Sequence, residues 1–262
     1  MARILCPSIL FVLLLATATP IHCESSDESP PIEELIWDGD DIPQQNLPPY
    51  MASLRSLTNV HFCGGAIVST RHVLTAAQCT IGRSANAINV VVGTVLRSAA
   101  GIPHTGQLLF IHPRFDRKTL INDISIIQTN RLIEMTDIVQ IATINPSLTV
   151  GRVSAQFSGW GRTSESIFDP DRLHTMNTTT ITNAECINEQ YPENVGRITD
   201  SKICTDNRSN QRGMCYGDEG GALMAGNEII GIASFHSYCD LNVANIYERV
   251  AHHRLWISTI IV

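Results

Sequence analysis

Short runs of β-branched and aromatic residues, broken at close spacing by Gly, Pro, Asn and Asp, set the rhythm of this chain. Strand-like runs fall at residues 66–68, 73–75, 88–92, 107–111, 123–129, 153–160, 228–234 and 245–250. Many short strands separated by turn signals predict an all-β sandwich or barrel. The tail, residues 252–262, differs. Its apolar residues (Leu255, Ile257, Ile260, Ile261) recur at helical spacing, which predicts a terminal helix. No repeat, coiled coil or low-complexity tract interrupts the pattern.

At the N-terminus the pattern changes. Arg3 precedes an apolar run, ILFVLLLA at 9–16, too short to span a bilayer comfortably and shaped like a secretory signal. Residues 1–23 are therefore read as a signal peptide and the protein as secreted. Cleavage can follow Ala18 or Cys23, and cysteine parity favours Cys23. That cut removes Cys6 and Cys23 together and leaves Cys63, Cys79, Cys186, Cys204, Cys215 and Cys239, whereas a cut after Ala18 leaves an odd number in an oxidising compartment. Parity alone gives no pairing. Residues 24–35 (ESSDESPPIEEL) hold five acids, two prolines and no base, an acidic propeptide-like leader. No later stretch is long and apolar enough to cross a membrane. Secretion makes the sequons at Asn177 and Asn207 candidates for glycosylation.

Charge narrows the classes further. The formal net charge is −7, and the only lysines are Lys118 and Lys202, so no polybasic run exists to bind nucleic acid.

Chemistry enters with a resemblance. FCGGA (62–66) and LTAAQC (74–79) resemble the segment of chymotrypsin-like serine proteases that carries the catalytic histidine. NDISII (122–127) is similar to the segment of the catalytic aspartate, and CYGDEGGAL (215–223) to the nucleophile loop. SGWG (158–161), GIAS (231–234) and residues 247–257 fit in order. The resemblance spans residues 36–262. It implies two six-stranded antiparallel β-barrels with a C-terminal helix, and the pairs Cys63–Cys79, Cys186–Cys204 and Cys215–Cys239. It places the oxyanion-hole amide on Gly217 and an aspartate-orienting hydroxyl on Ser234.

The departures matter more. Acyl transfer in this family needs a hydroxyl nucleophile, a histidine base and an orienting aspartate. Gln78 stands at the histidine position and Glu219 at the serine position, and only Asp123 remains. A glutamine amide does not titrate near neutrality. A carboxylate attacking an amide without a base would have to form a strained anhydride. The specificity pocket changes too: its base falls on Gly213 rather than an acid, and its glycine walls on His236 and Asn245, which should obstruct it. Carboxylate-pair chemistry between Asp123 and Glu219, and a metal site on Asp123, Glu219 and Gln78, are weaker alternatives, since no histidine joins them. No cofactor or metal is expected.

The sequence thus reads as a non-catalytic homolog that works by binding an extracellular protein as cofactor, decoy or regulator. An active endopeptidase is the alternative that fold analogy supplies. Activation is doubtful as well. Ile36-Trp37-Asp38-Gly39 matches the family's new N-terminus only in part, and Leu35, not Lys or Arg, precedes it. By resemblance to chymotrypsin-type precursors, Ser53 and His61 are expected to latch Asp218 in a single, zymogen-like chain.

Overall fold

The computed structural model describes residues 40–149, 151–163, 170–209 and 211–261. The signal, the leader and the Leu35–Ile36 junction lie outside them.

A short strand, β1 (Asp40–Asp41), leads into two barrels. The first is built from β2 (Met51–Arg55), β3 (His61–Ile67), β4 (His72–Thr75), β5 (Asn89–Val92), β6 (Ile102–Ile111) and β7 (Ser125–Thr129), closed in the order β2-β3-β4-β7-β6-β5. A two-residue β8 (Thr143–Ile144) follows, then β9 (Ser154–Gly159), β10 (His174–Ile181), β11 (Lys202–Asp206), β12 (Ala222–Ala225), β13 (Glu228–Phe235) and β14 (Asn245–Arg249). These six strands run β10-β11-β14-β13-β12-β9 and close where β10 pairs with β9. The expected pair of six-stranded antiparallel barrels is the observed fold.

Several strands escape the apolar pattern because their inward residues are polar. In β10 the buried positions alternate as His174, Met176, Thr178 and Thr180, so the period is two while the chemistry is mostly hydroxyl and imidazole. In β2 all five positions are buried, Arg55 included. Its guanidinium is tolerated because it donates to Ser53 Oγ, Asn59 Oδ1 and the Leu96 and Ala99 carbonyls.

Helix is scarce. Helix α1 (Ala77–Thr80) turns the chain after β4. Helix α2 (Asn183–Glu189) starts at a Thr182–Glu185 capping box, in which each side chain answers the other's backbone amide. Helix α3 (Pro192–Val195) carries its proline in the first turn, where a missing N–H costs nothing. The terminal helix α4 (Arg254–Ser258) is shorter than the sequence spacing implies and grows from a 3₁₀ turn over Val250–His253. Among the described residues no helix is long and apolar enough to cross a membrane. All three expected disulfides are present.

Candidate functional site

The cleft takes Gln78 and Asp123 from the first barrel and Glu219, Ser234 and His236 from the second. Asp123 sits just before β7, fully buried. Its Oδ1 accepts the Gln78 backbone amide at 2.8 Å, and its Oδ2 accepts Gln78 Nε2 and Ser234 Oγ, each at 2.7 Å. The second Gln78 amide hydrogen goes to the Ser234 carbonyl. Both Nε2 hydrogens are thus engaged, and the side chain offers the cleft only a weakly basic carbonyl oxygen. Burial pushes Asp123 up to about 6, against the Lys202 charge and the Gln78 and Ser234 hydrogen bonds, which pull it down.

Glu219 turns back on its own loop. Its Oε2 accepts the Gly217 amide at 2.9 Å, so the amide assigned to the oxyanion hole is taken by a carboxylate of the same chain. That loop geometry needs Gly217, whose φ is +100°. The other oxygen faces His236 Nε2 at 3.4 Å. His236 Nδ1 accepts the Cys239 amide at 3.2 Å, so the proton of the neutral ring lies on Nε2, aimed at Glu219. Burial works to raise the Glu219 pKa, but the His236 contact and the Gly217 and Glu219 amides outweigh it and hold the carboxyl below its ordinary value.

Of the residues expected in the specificity pocket, Gly213 and Asn245 pack together, and His236 lines the neighbouring cavity. Asn245 is 2% exposed. A methyl group on Gly213 would lie 3.4 Å from Asn245 Nδ2, 3.1 Å from Asn207 Nδ2 and 3.2 Å from Leu241 Cδ2, so the floor under Gly213 is packed with side chains. His236 is buried against Tyr216, edge to face at 4.8 Å. Beside these groups the cleft keeps a cavity of about 300 Å³, walled by Gln78, Glu219, Tyr216, His236, Tyr238 and Arg197 among others.

Two expectations need correction. The first is the latch. Ser53 and His61 pair as expected, Oγ to Nδ1 at 2.8 Å, but His61 Nε2 donates to the Gly217 carbonyl at 3.0 Å and not to Asp218. Asp218 faces the SGWG turn, where the Gly161 amide donates to Oδ1 at 2.8 Å and the Cys215 amide to Oδ2 at 2.9 Å. With both oxygens held there, the carboxylate does not reach the imidazole. Burial drives the two groups in opposite directions, Asp218 up to about 7 and His61 down to about 4. The second correction is the sequon at Asn207. That side chain is wholly buried, and its Nδ2, the atom a glycan would occupy, donates to the Val243 carbonyl at 2.7 Å. Asn177 is exposed on β10, in keeping with a glycan acceptor.

Sequence reasoning missed what lies beneath Asp123. Lys202 Nζ, fully buried, donates to Glu248 Oε2 and the Leu120 carbonyl at 2.6 Å each, and to Ser234 Oγ at 3.1 Å. Glu248 also meets His253 Nε2 at 2.6 Å and accepts the Asp123 amide at 3.1 Å. The signal was present: Lys202 is one of two lysines in the chain, and it stands directly opposite Glu248 on paired strands.

Comparison with known proteins agrees with this fold. The family model described as "Trypsin" matches residues 36–257. Chymotrypsin-2 of Vespa crabro is 33% identical over 224 residues, covering 85% of this chain and 98% of that protein. Trypsin CFT-1 of Choristoneura fumiferana is 31% identical over 200 residues, 75% and 78% of the two chains. In fold, the crystal structure of the scabies mite inactivated protease paralogue S-D1 superposes with a TM-score of 0.79 at 24% identity, covering 85% of this chain and 96% of the other.

Proposed function

This chain belongs to the trypsin family, and we propose that within it the chain is a secreted, non-catalytic member that acts by binding an extracellular protein as cofactor or regulator. The observation that carries the reading is the Glu219 carboxylate on the Gly217 amide. A substrate carbonyl developing negative charge needs that donor free, and here it would meet a carboxylate already in place. Gln78 supports the same reading, because an amide cannot take a proton from a nucleophile. Three disulfides suit an oxidising, extracellular setting.

The geometry also refines how binding would work. An inhibitor that inserts a side chain into the specificity pocket and a carbonyl into the oxyanion hole finds Asn245 and His236 in one and Glu219 in the other. A decoy for such inhibitors is therefore the least suited of the binding roles, and contact along the rim of the cleft the best suited. Fluorophosphonate labelling of the secreted protein tests the reading: no label and no cleavage of a peptide panel is expected, and labelling would restore the endopeptidase alternative that the trypsin and chymotrypsin relatives favour.

A further inference from the structure

Among the described residues Glu219 has no lysine or arginine partner. Its oxygens meet the Gly217 amide and the His236 ring. Asp218, the neighbouring carboxylate, is turned inward and adds no compensation. The guanidinium in the cavity wall, Arg197, is tied elsewhere. It stacks 3.9 Å from the Phe235 ring centroid, donates to the Thr119 carbonyl and Asn194 Oδ1, and feels Asp123 as its acidic influence. Around the charge stand two solvent-exposed tyrosine rings, of which Tyr216 already has the Arg162 guanidinium 5.6 Å from its centroid. Tyr216 is 49% and Tyr238 76% exposed, and both line the cavity of about 300 Å³ together with Glu193.

A carboxylate beside aromatic faces is the complement of a cation. Ring faces attract ammonium and guanidinium groups, and the attraction grows as water is excluded. The net charge of −7 favours approach of such a group from a distance. We propose that the cavity beside Glu219 receives one basic side chain, lysine or arginine, presented by an extended segment of a partner protein. The base of the ordinary specificity pocket plays no part, since Gly213 supplies no acid there. Charge at the former nucleophile position takes its place. This inference rests on the non-catalytic reading, because an accommodating carboxylate at position 219 is incompatible with a seryl nucleophile there.

The test is calorimetric titration of the intact secreted protein with acetyl-Gly-Lys-Gly amide, with the same peptide carrying norleucine in place of lysine, and with n-butylamine. Expected are binding of the lysine peptide, a Kd at least about tenfold weaker for the norleucine peptide, and about a tenfold loss in Glu219→Gln. Tyr238→Leu, a change at a mostly exposed ring that leaves the fold alone, should weaken the lysine peptide by about threefold. Butylamine binding as tightly as the peptide would keep the cation site but assign it to a free amine. Equal affinity for lysine and norleucine peptides, no binding of any probe at millimolar concentration, or an unchanged Kd in both variants would overturn the proposal. Cleavage of the lysine peptide would instead sink the non-catalytic reading, so the two failures are distinguishable.

Discussion

Lys202→Met should be among the most damaging single substitutions this chain can suffer. The Lys202 ammonium and the Glu248 carboxylate are both fully buried, 2.6 Å apart. Nζ makes three hydrogen bonds, one to each of Glu248, the Leu120 carbonyl and Ser234 Oγ, so its donors are fully used. Methionine matches the stem in volume but leaves Glu248 with His253 and the Asp123 amide as its remaining partners. Removing one member of a buried pair typically costs about 3–5 kcal/mol, because the other charge is stranded. In a domain of this size that corresponds to roughly 10 °C in Tm. Lys202→Met/Glu248→Gln removes both charges and should recover more than half of the loss. Urea unfolding of the disulfide-intact protein, followed by tryptophan fluorescence for wild type, both single variants and the double, gives the coupling energy directly. The pH dependence adds a second check. Burial works to raise the Glu248 pKa, but the Lys202 charge and His253 bring it down to about 2. Its contribution is therefore present above the ordinary value of 4.5 and lost as pH falls towards 2. A cost below about 1 kcal/mol for Lys202→Met, or a coupling near zero, would refute the claim that this pair is a single buried unit.

The other expectations are simpler to state. Gly161→Ala would put its methyl group on the Asp218 carboxylate, so it should destabilise by about 2 kcal/mol or more, read as a fall in urea midpoint at constant m. His61 and Asp218 oppose one another in pH. The folded chain resists protonating His61 between its ordinary 6.5 and about 4, which makes stability rise with pH, while Asp218 holds a proton between 3.8 and about 7, which makes stability fall with pH. His61→Gln removes the first term, so its stability should decline more steeply than wild type from pH 4 to 7 in a urea-midpoint series. Glu219→Ser loses contacts at a half-buried carboxylate and should shift Tm by no more than a few degrees. Gln78→His/Glu219→Ser should still cleave peptides poorly, because His236 and Asn245 would still stand at the pocket's glycine positions, and robust turnover by that variant would remove the obstruction argument.

The barrels were legible where strands carry apolar residues on their inward face, as in 88–92 and 228–234, and where local motifs recur, as in SGWG. They were illegible where the inward face is built from threonine, histidine or a charge, since periodicity in hydrophobicity then vanishes while periodicity in burial persists. Strand β10 is the plainest instance. Gln78, Asp123, Glu219 and Ser234 are legible in the sequence because each lies in a recognisable segment. Their hydrogen bonds are not, because a contact such as Glu219 to Gly217 depends on a left-handed backbone and a rotamer, neither of which sequence spacing records. The latch failed for the same reason. Ser53 and His61 pair, but Asp218 turns to the Gly161 and Cys215 amides, which leaves His61 the Gly217 carbonyl.

The identities of the two departures follow from what a buried cleft tolerates. Asp123 is fully buried, and burial already raises its pKa, so loss of a donor would cost the desolvation of a carboxylate. Alanine at position 78 would remove the side-chain donor and leave a void between Asp123 and Ser234. Glutamine is long enough for Nε2 to reach Asp123 Oδ2 at 2.7 Å while its second hydrogen meets the Ser234 carbonyl. The amide thus takes over the orienting hydrogen bond that an imidazole N–H would make, and it gives up only the basic nitrogen. At position 219 the logic runs in the other sense. The Gly217 amide would otherwise wait for a ligand oxygen, and a glutamate supplies one from within the chain. Gln78 and Glu219 thus keep the polar groups of the cleft partnered from within the chain, which is what the proposed binding role requires of this site.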